Sequence, residues 1–386
     1  MRVLVVGNGM YVRGQGQDDF GTVLPALIEY QYKNNKLLKA DVVGTNSKSS
    51  FSAKQKFNVM KKLSSSNLRI SFFPNKNQNE TYLKLINKNK YDCAIVSVPD
   101  HLHFKVSKKL LEKGIPTLIV KPFTTSVKDG LELINLAKSK KIYGAVEFHK
   151  RFDKQNILLK NHFEEGKIGN LLYSNTEYSQ RKSIPITSFR KWSNKTNIFQ
   201  YLGVHYVDLM RFITKATPTR VLATGQKKFL ISRKINTFDS IQVLIEWRKK
   251  GSSFMQYISS NWIDPDNSSA MSEQRINFIG TKGRLEANQK DRGLIFFSDE
   301  EKIKSINPDF SMIFKGEDRA SWRGYGIQSI NTFLSDVEKL KNKETSLSNL
   351  RKKRPTYEEA LFSTAVVEAV NGSLKEGSKW KLVQFK

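Results

Sequence analysis

The chain opens with Met1-Arg2-Val3-Leu4-Val5-Val6-Gly7-Asn8-Gly9, and the reading of this stretch decides the fold. The unbroken apolar run at 3–6 reads as a strand buried on both faces, as in a parallel sheet. A glycine pair follows at once. It lets the backbone turn tightly and approach a pyrophosphate, which the free N–H groups of the next helix hold. Gly7, Gly9 and Met10 are therefore candidate cofactor contacts. The third glycine of a dinucleotide fingerprint would fall at position 12, where Val12 stands. Glycines recur at Gly14, Gly16 and Gly21, so the spacing predicts a longer loop on the phosphate side. The next helix then begins near Thr22, with Leu24, Leu27 and Ile28 at helical spacing. Such a loop is long enough to reach over the nicotinamide or the substrate.

Outward from this stretch, strand-like and helical runs alternate to residue 148. Strands are expected at 3–6, 41–43, 69–73, 93–98, 117–120 and 143–147, and helices at 22–31, 80–87, 104–113 and 126–138. This alternation implies right-handed βαβ units in a doubly wound parallel sheet, a Rossmann domain over 1–123. Past Arg151 the pattern changes. After a helix near 154–165 come a strand at 171–180 and a helix at 201–213. Strands then follow one another at 219–226, 240–246, 254–261, 274–280, 283–287 and 293–297. Consecutive strands without helices between them imply a largely antiparallel sheet, so an α+β domain is expected over 124–386. Helices at 325–341 and 357–374 close the chain and are placed to pack back on the first domain. The segment 261–272, with Asp264, Pro265 and Asp266, reads as an irregular polar loop.

At 386 residues the chain supports two domains, and 39% hydrophobic content with 24 Phe and 13 Tyr excludes a disordered class. No stretch approaches the roughly 20 apolar residues of a membrane span. Met1-Arg2 runs straight into a strand, so no leader segment is expected. The single cysteine, Cys93, sits in an apolar run and reads as a buried small hydrophobe, which favours a cytoplasmic protein. The 65 Lys and Arg outnumber 36 acids for a net charge of +29. They are scattered over 33–39, 54–62, 84–90 and 138–141, with no basic tail and no nucleic-acid-type basic region, which reads as a solvated basic surface. That surface suits steering of anionic substrates better than a nucleic-acid partner.

Four motifs in order carry a resemblance. They are strand–Gly7-x-Gly9, then Val98-Pro99-Asp100-His101-Leu102-His103, then Val120-Lys121-Pro122, then Tyr201-Leu202-Gly203-Val204-His205-Tyr206-Val207-Asp208. In this order and spacing, with Gly280-Thr281-Lys282-Gly283 beyond them, the whole chain resembles the glucose–fructose oxidoreductase/inositol dehydrogenase (Gfo/Idh/MocA) family. The resemblance implies NAD(P)-dependent oxidation or reduction of sugars, cyclitols or related polyols at a cleft between two domains. It also implies a homo-oligomer. Two positions depart from the family pattern: Val120 where the family usually has Glu, and Tyr201 where it usually has Asp.

Within that order the residues take candidate roles. Pro122 cannot donate to a strand ladder, so pairing stops there and Lys121 projects into the crevice. A cation there polarises a substrate oxygen and stabilises alkoxide as hydride leaves the adjacent carbon. Tyr201 and His205, four apart, share one helix face. An imidazole with an ordinary pKa of about 6.5 takes a hydroxyl proton near neutrality. Asp208 is placed to orient His205, and Tyr201 offers a phenol as donor or relay. Pro99 and His103 lie at a strand end on the cofactor side. Arg151, Arg181 and Trp192 are candidate substrate contacts. His101, His149 and His162 show no metal-ligand spacing, so no metal is expected.

The segment 44–50, after the strand at 41–43, lacks the acid that usually holds the ribose hydroxyls of NAD. Asn46, Ser47 and Lys48 suit a 2′-phosphate better, which favours NADP over NAD. Two rival readings remain. One is an NAD-dependent glycoside hydrolase that oxidises its sugar only transiently. The other is a non-catalytic sugar- or nucleotide-binding regulatory protein.

Overall fold

The computed structural model describes residues 1–16, 19–34, 38–76 and 81–386, and these form two units. The first comprises Met1–Phe123, Asp129–Phe152 and Asp309–Ala360, and the second Thr124–Lys128, Asp153–Pro308 and Leu361–Lys386. A single break at 123 therefore does not describe the chain, which returns to the first unit twice.

In the first unit, β1 (Arg2–Val6) leads through the glycine pair into a one-turn helix α1 (Met10–Arg13) and then α2 (Val23–Asn34). There follow β2 (Lys39–Val43), α3 (Ser47–Leu63), β3 (Arg69–Phe73), α4 (Thr81–Lys88) and β4 (Cys93–Val96). Next come α5 (His103–Glu112), β5 (Thr117–Val120), α6 (Val127–Ser139) and β6 (Gly144–Glu147). The strands form one parallel sheet in the order β3-β2-β1-β4-β5-β6. Val3, Leu4 and Val5 are fully buried, as a strand covered on both faces requires. The order reverses between β1 and β4, which opens a crevice at the carboxyl ends of those strands.

The 17-residue α3 has no counterpart among the expected helices. Its apolar stripe is only Ala53, Phe57 and Met60, with Ser50 completing the buried face, and lysines cover the rest. The sequence therefore reads as a basic solvated run. The expected helix at 80–87 begins at Glu80, outside the described residues, and the basic run 33–39 includes 35–37, also outside them.

In the second unit, α7 (Lys154–Glu164) precedes β7 (Leu171–Gln180), α8 (Val204–Thr214), β8 (Thr217–Gln226) and the short α9 (Phe229–Ser232). Then come β9 (Ser240–Lys249), β10 (Ser252–Asn261), β11 (Ser272–Gly280), β12 (Arg284–Asn288) and the hairpin β13 (Leu294–Phe296) and β14 (Lys304–Ile306). The chain continues through β15 (Met312–Lys315), β16 (Ala320–Arg323), α10 (Tyr325–Lys341), α11 (Leu347–Lys353), α12 (Tyr357–Lys375) and β17 (Lys381–Leu382). The second unit's sheet runs β12-β11-β7-β10-β9-β8-β17 and is antiparallel except where β7 meets β10.

Residues 129–152 belong with the first sheet because β6 pairs with β5. Residues 309–360 belong there because Trp322, Ile327, Ile330, Phe333 and Leu334 share one apolar cluster with Val3, Val5, Leu24, Leu27 and Ile95. Buried Glu29 of α2 ties this return segment down, since it accepts from the Trp322 N–H at 3.0 Å and pairs with Arg319.

Candidate functional site

One group of candidates stands at the carboxyl ends of β1, β4, β5 and β6. Gly7 has φ +113°, and a Cβ there would lie 1.9 Å from the Ser97 carbonyl oxygen. Only glycine fits, because both the backbone conformation and the close approach to the end of β4 exclude a side chain. A Cβ at Gly9 would meet nothing within 4 Å, so this second glycine faces open space beside the start of α1. That opening lies at the switch point of the sheet, where open parallel sheets bind their ligands.

The described residues on either side of 17–18 are tied down. Asp19 accepts from the N–H groups of Gln15 (2.9 Å) and Gly21 (2.8 Å), and the Thr22 N–H reaches the Tyr11 carbonyl at 2.8 Å. From the return segment, the Ser311 hydroxyl donates to the Gly21 carbonyl at 2.7 Å. Tyr11 itself is turned inward towards β6.

At the end of β2, Asn46 caps α3, its Oδ1 accepting from the Ser49 N–H at 2.8 Å. The Asn8 side chain donates to the Ser49 hydroxyl at 3.1 Å and so links this turn to the glycine loop. Lys48 is exposed in the first turn of α3. Asn46→Ala is expected to cost about 1 kcal/mol of stability, the usual loss for a removed cap, while Asn46→Asp keeps the cap; urea denaturation of both variants measures it.

His103, expected on the cofactor side, is buried with both ring nitrogens on backbone. Nδ1 lies 2.6 Å from the Pro122 carbonyl and Nε2 2.9 Å from the Val98 carbonyl. The ring thus ties the end of β4 to the turn after β5 that carries Lys121. Burial pulls its pKa down, opposed by the charge of Asp100.

Lys121 is buried immediately beyond β5. Burial lowers its pKa to about 8, while the charges of Asp100 and Glu147 act in the opposite direction. Both acids are buried too, Asp100 at 3% exposure and Glu147 at 0%. Arg151 is also buried in this unit, 3.8 Å from Glu359.

The second unit carries the other candidates. A wide turn at Phe199–Gly203 precedes α8, so Tyr201 stands on this turn and not on α8 itself. Gly203 admits it, because a Cβ there would press to 2.4 Å from the Phe199 ring. Wide helical turns of this kind recur at functional sites. The structure brings Tyr201 and Trp192 together in one aromatic cluster. Their ring centroids lie 6.1 Å apart, and Phe189 sits 4.8 Å from Tyr201 and 4.5 Å from Trp192. Trp262 lies beneath at 6.0 Å from Tyr201.

His205 is buried in the first turn of α8, its ring 6.0 Å from that of Tyr178. Burial pushes the Tyr178 hydroxyl pKa up. Asp208 is buried one turn on. A chain of buried hydrogen bonds fixes α8. The Trp247 indole donates to Gln256, and Gln256 donates to the Tyr206 carbonyl. The Tyr206 hydroxyl donates to Gln289, and Gln289 donates to Asn156. Arg181, by contrast, is engaged within the 261–272 loop, donating to the Ser268 hydroxyl and carbonyl.

Sequence reasoning assigned no role to Glu147, Tyr11, Phe189 or Trp262. An acid closing an otherwise apolar parallel strand is the signal that marks Glu147.

Comparison with known proteins matches residues 1–148 to an oxidoreductase family described by its NAD-binding Rossmann fold, and residues 157–286 to the GFO/IDH/MocA C-terminal domain. The uncharacterized oxidoreductase YhhX of Escherichia coli is 31% identical over 122 residues, 31% of this chain and 35% of that protein, so the chain spans about a third of this relative's length. The inositol 2-dehydrogenase of Rhizobium meliloti is 25% identical over 64% of this chain and 71% of its own. In fold, the chain is similar to the scyllo-inositol dehydrogenase of Lactobacillus casei solved with NAD(H) and scyllo-inositol. The TM-score is 0.65 at 16% identity, covering 99% of this chain and 98% of that one.

Proposed function

Because the chain belongs to the GFO/IDH/MocA oxidoreductase family, with its NAD-binding Rossmann domain, we propose that it transfers hydride between a nicotinamide cofactor and a sugar, cyclitol or related polyol. The observation that carries this reading is Lys121, a buried ammonium at the carboxyl end of β5, on the same sheet edge as the open glycine turn after β1. Burying a cation is costly, and it is retained where developing negative charge needs it.

In this reading the backbone at Gly7, Gly9 and Met10 would hold the pyrophosphate, and Pro99 and Pro122 are the residues that would receive the nicotinamide. A bound nicotinamide supplies the two-electron acceptor or donor. Lys121 neutralises the charge growing on the substrate oxygen. His205 takes the hydroxyl proton, and the Tyr201 hydroxyl donates to the substrate. Trp192 stacks against the apolar face of a sugar, as aromatic rings do. The net charge of +29 favours an anionic substrate.

NADP is the favoured cofactor in this proposal. No acid occurs in 44–50, the Asn46 side-chain Oδ1 is committed to capping α3, and Lys48 is exposed in its first turn. NADP should bind more tightly than NAD, and Lys48→Ala should narrow the gap, as read by intrinsic-fluorescence titration. An NAD preference unmoved by Lys48→Ala overturns the assignment.

The proposal extends to a homo-oligomer, with Leu172, Tyr173 and Tyr257 exposed on the sheet of the second unit, and to a cytoplasmic location. Among the described residues no helix is long and apolar enough to cross a membrane.

Absorbance at the nicotinamide band, with each cofactor and a panel of sugars, cyclitols and sugar acids, tests the whole reading. A net change with one class supports it. Product formation without net change favours the transient-oxidation hydrolase. Cofactor binding without turnover of any member favours the regulatory protein.

A further inference from the structure

Glu147 closes β6 in parallel register beside Val120, the residue before Lys121. It is fully buried, and a buried carboxylate is costly unless partnered. Its Oε2 lies 3.1 Å from His149 Nδ1, while Oε1 has no hydrogen-bond partner among the described residues.

The groups that face it come from three segments. From the turn after β5 comes the Lys121 ammonium, which also feels Asp100 and stands near His103. From α1 comes Tyr11, whose hydroxyl stands beside Glu147 and is pushed up first by burial and then by the Glu147 charge. From the turn after β6 comes His149. Its ring stacks on Tyr325 (centroids 5.6 Å, 27°) from α10 and on Tyr11 (6.3 Å, 21°), with Phe310 at 5.1 Å. The imidazole is clamped by three rings, so it fixes the carboxylate it touches. This clamped, buried carboxylate stands in register beside the residue before Lys121 and within electrostatic reach of its ammonium.

We propose that Glu147, held by His149, is the positioning residue that keeps Lys121 protonated and oriented at the site. The inference rests on the proposed function only for the use made of Lys121; the coupling itself belongs to the cofactor-free chain.

The test is pH-dependent acetylation of the full-length, cofactor-free protein by acetic anhydride, with modification of Lys121 read by peptide mass spectrometry and turnover followed in parallel. Removing a neighbouring negative charge destabilises the protonated amine, so Glu147→Gln should lower the Lys121 labelling midpoint by roughly one pH unit. Glu147→Asp, which retains the charge but draws it back by one methylene, should shift it part of the way and serves if the glutamine variant does not fold. Adding Val120→Glu to Glu147→Gln returns a carboxylate to the paired register position and should restore the midpoint. The alkaline limb of the pH–rate profile should follow the same displacements. An unmoved midpoint in folded Glu147→Gln or Glu147→Asp overturns the proposal. A midpoint that moves while turnover and its pH profile stay unchanged upholds the coupling and removes Lys121 from the reaction, so the two readings fail separately.

Discussion

Lys121→Met is expected to lower kcat by about 10³-fold, the upper range for loss of one preorganised electrostatic contact, while cofactor still binds. Methionine keeps the unbranched apolar stem and deletes only the ammonium, so what is lost is stabilisation of charge that exists mainly in the transition state. The same variant has a thermodynamic signature. Burial holds the folded-state pKa of Lys121 at about 8, below the ordinary lysine value of 10.5. Below pH 8 the amine is protonated in both folded and unfolded chains, and the cost of burying the charge is fully present. Between pH 8 and 10.5 the unfolded chain holds more protons, so folded stability rises with pH, by about 3 kcal/mol across the window at 1.36 kcal/mol per unit. Lys121→Met lacks this rise. Urea denaturation of both proteins from pH 7 to 11 measures the difference. A variant with near-normal kcat/KM excludes Lys121 from the mechanism, and parallel stability profiles would show that the lysine is not buried as described.

His205→Ala should lower kcat by about 10²–10⁴-fold, as for a lost general base. The local fold should survive, because the Trp247–Gln256–Tyr206–Gln289–Asn156 chain holds α8. Tyr201→Phe should cost much less. Its ring packs among Phe189, Trp192 and Trp262 whether or not the hydroxyl is present, so the variant isolates the hydroxyl. A phenol also titrates ordinarily near 10 and stays neutral, so it donates a hydrogen bond without carrying the charge of a carboxylate. Steady-state kinetics with thermal melts separate the cases. If Tyr201→Phe is silent and His205→Ala lowers only the melting temperature, the pair is core packing and the proton leaves by another route.

Read from sequence alone, β1 was unmistakable because a strand buried on both faces leaves a continuous apolar run, and the glycine pair after it has a backbone meaning that needs no partner. The helix α3 escaped because its buried stripe is three apolar residues wide among lysines; what makes it helical is the sheet it covers. Tyr201 was placed on a regular helix face because the wide turn at Phe199–Gly203 leaves only one trace in sequence, Gly203, whose need is set by a ring pressed against its backbone.

Local rules thus determined from sequence the sheet, the turn chemistry at Gly7 and the strand end at Lys121, since each depends on a residue and its immediate neighbours. The tertiary structure alone decided that Ser311 of the returning segment braces the glycine loop at Gly21, and that both ring nitrogens of His103 lie against backbone carbonyls. It alone set Glu147 beside Val120. These are contacts between segments tens to hundreds of residues apart, fixed by strand order and by burial of a shared core, and no spacing along the chain encodes them.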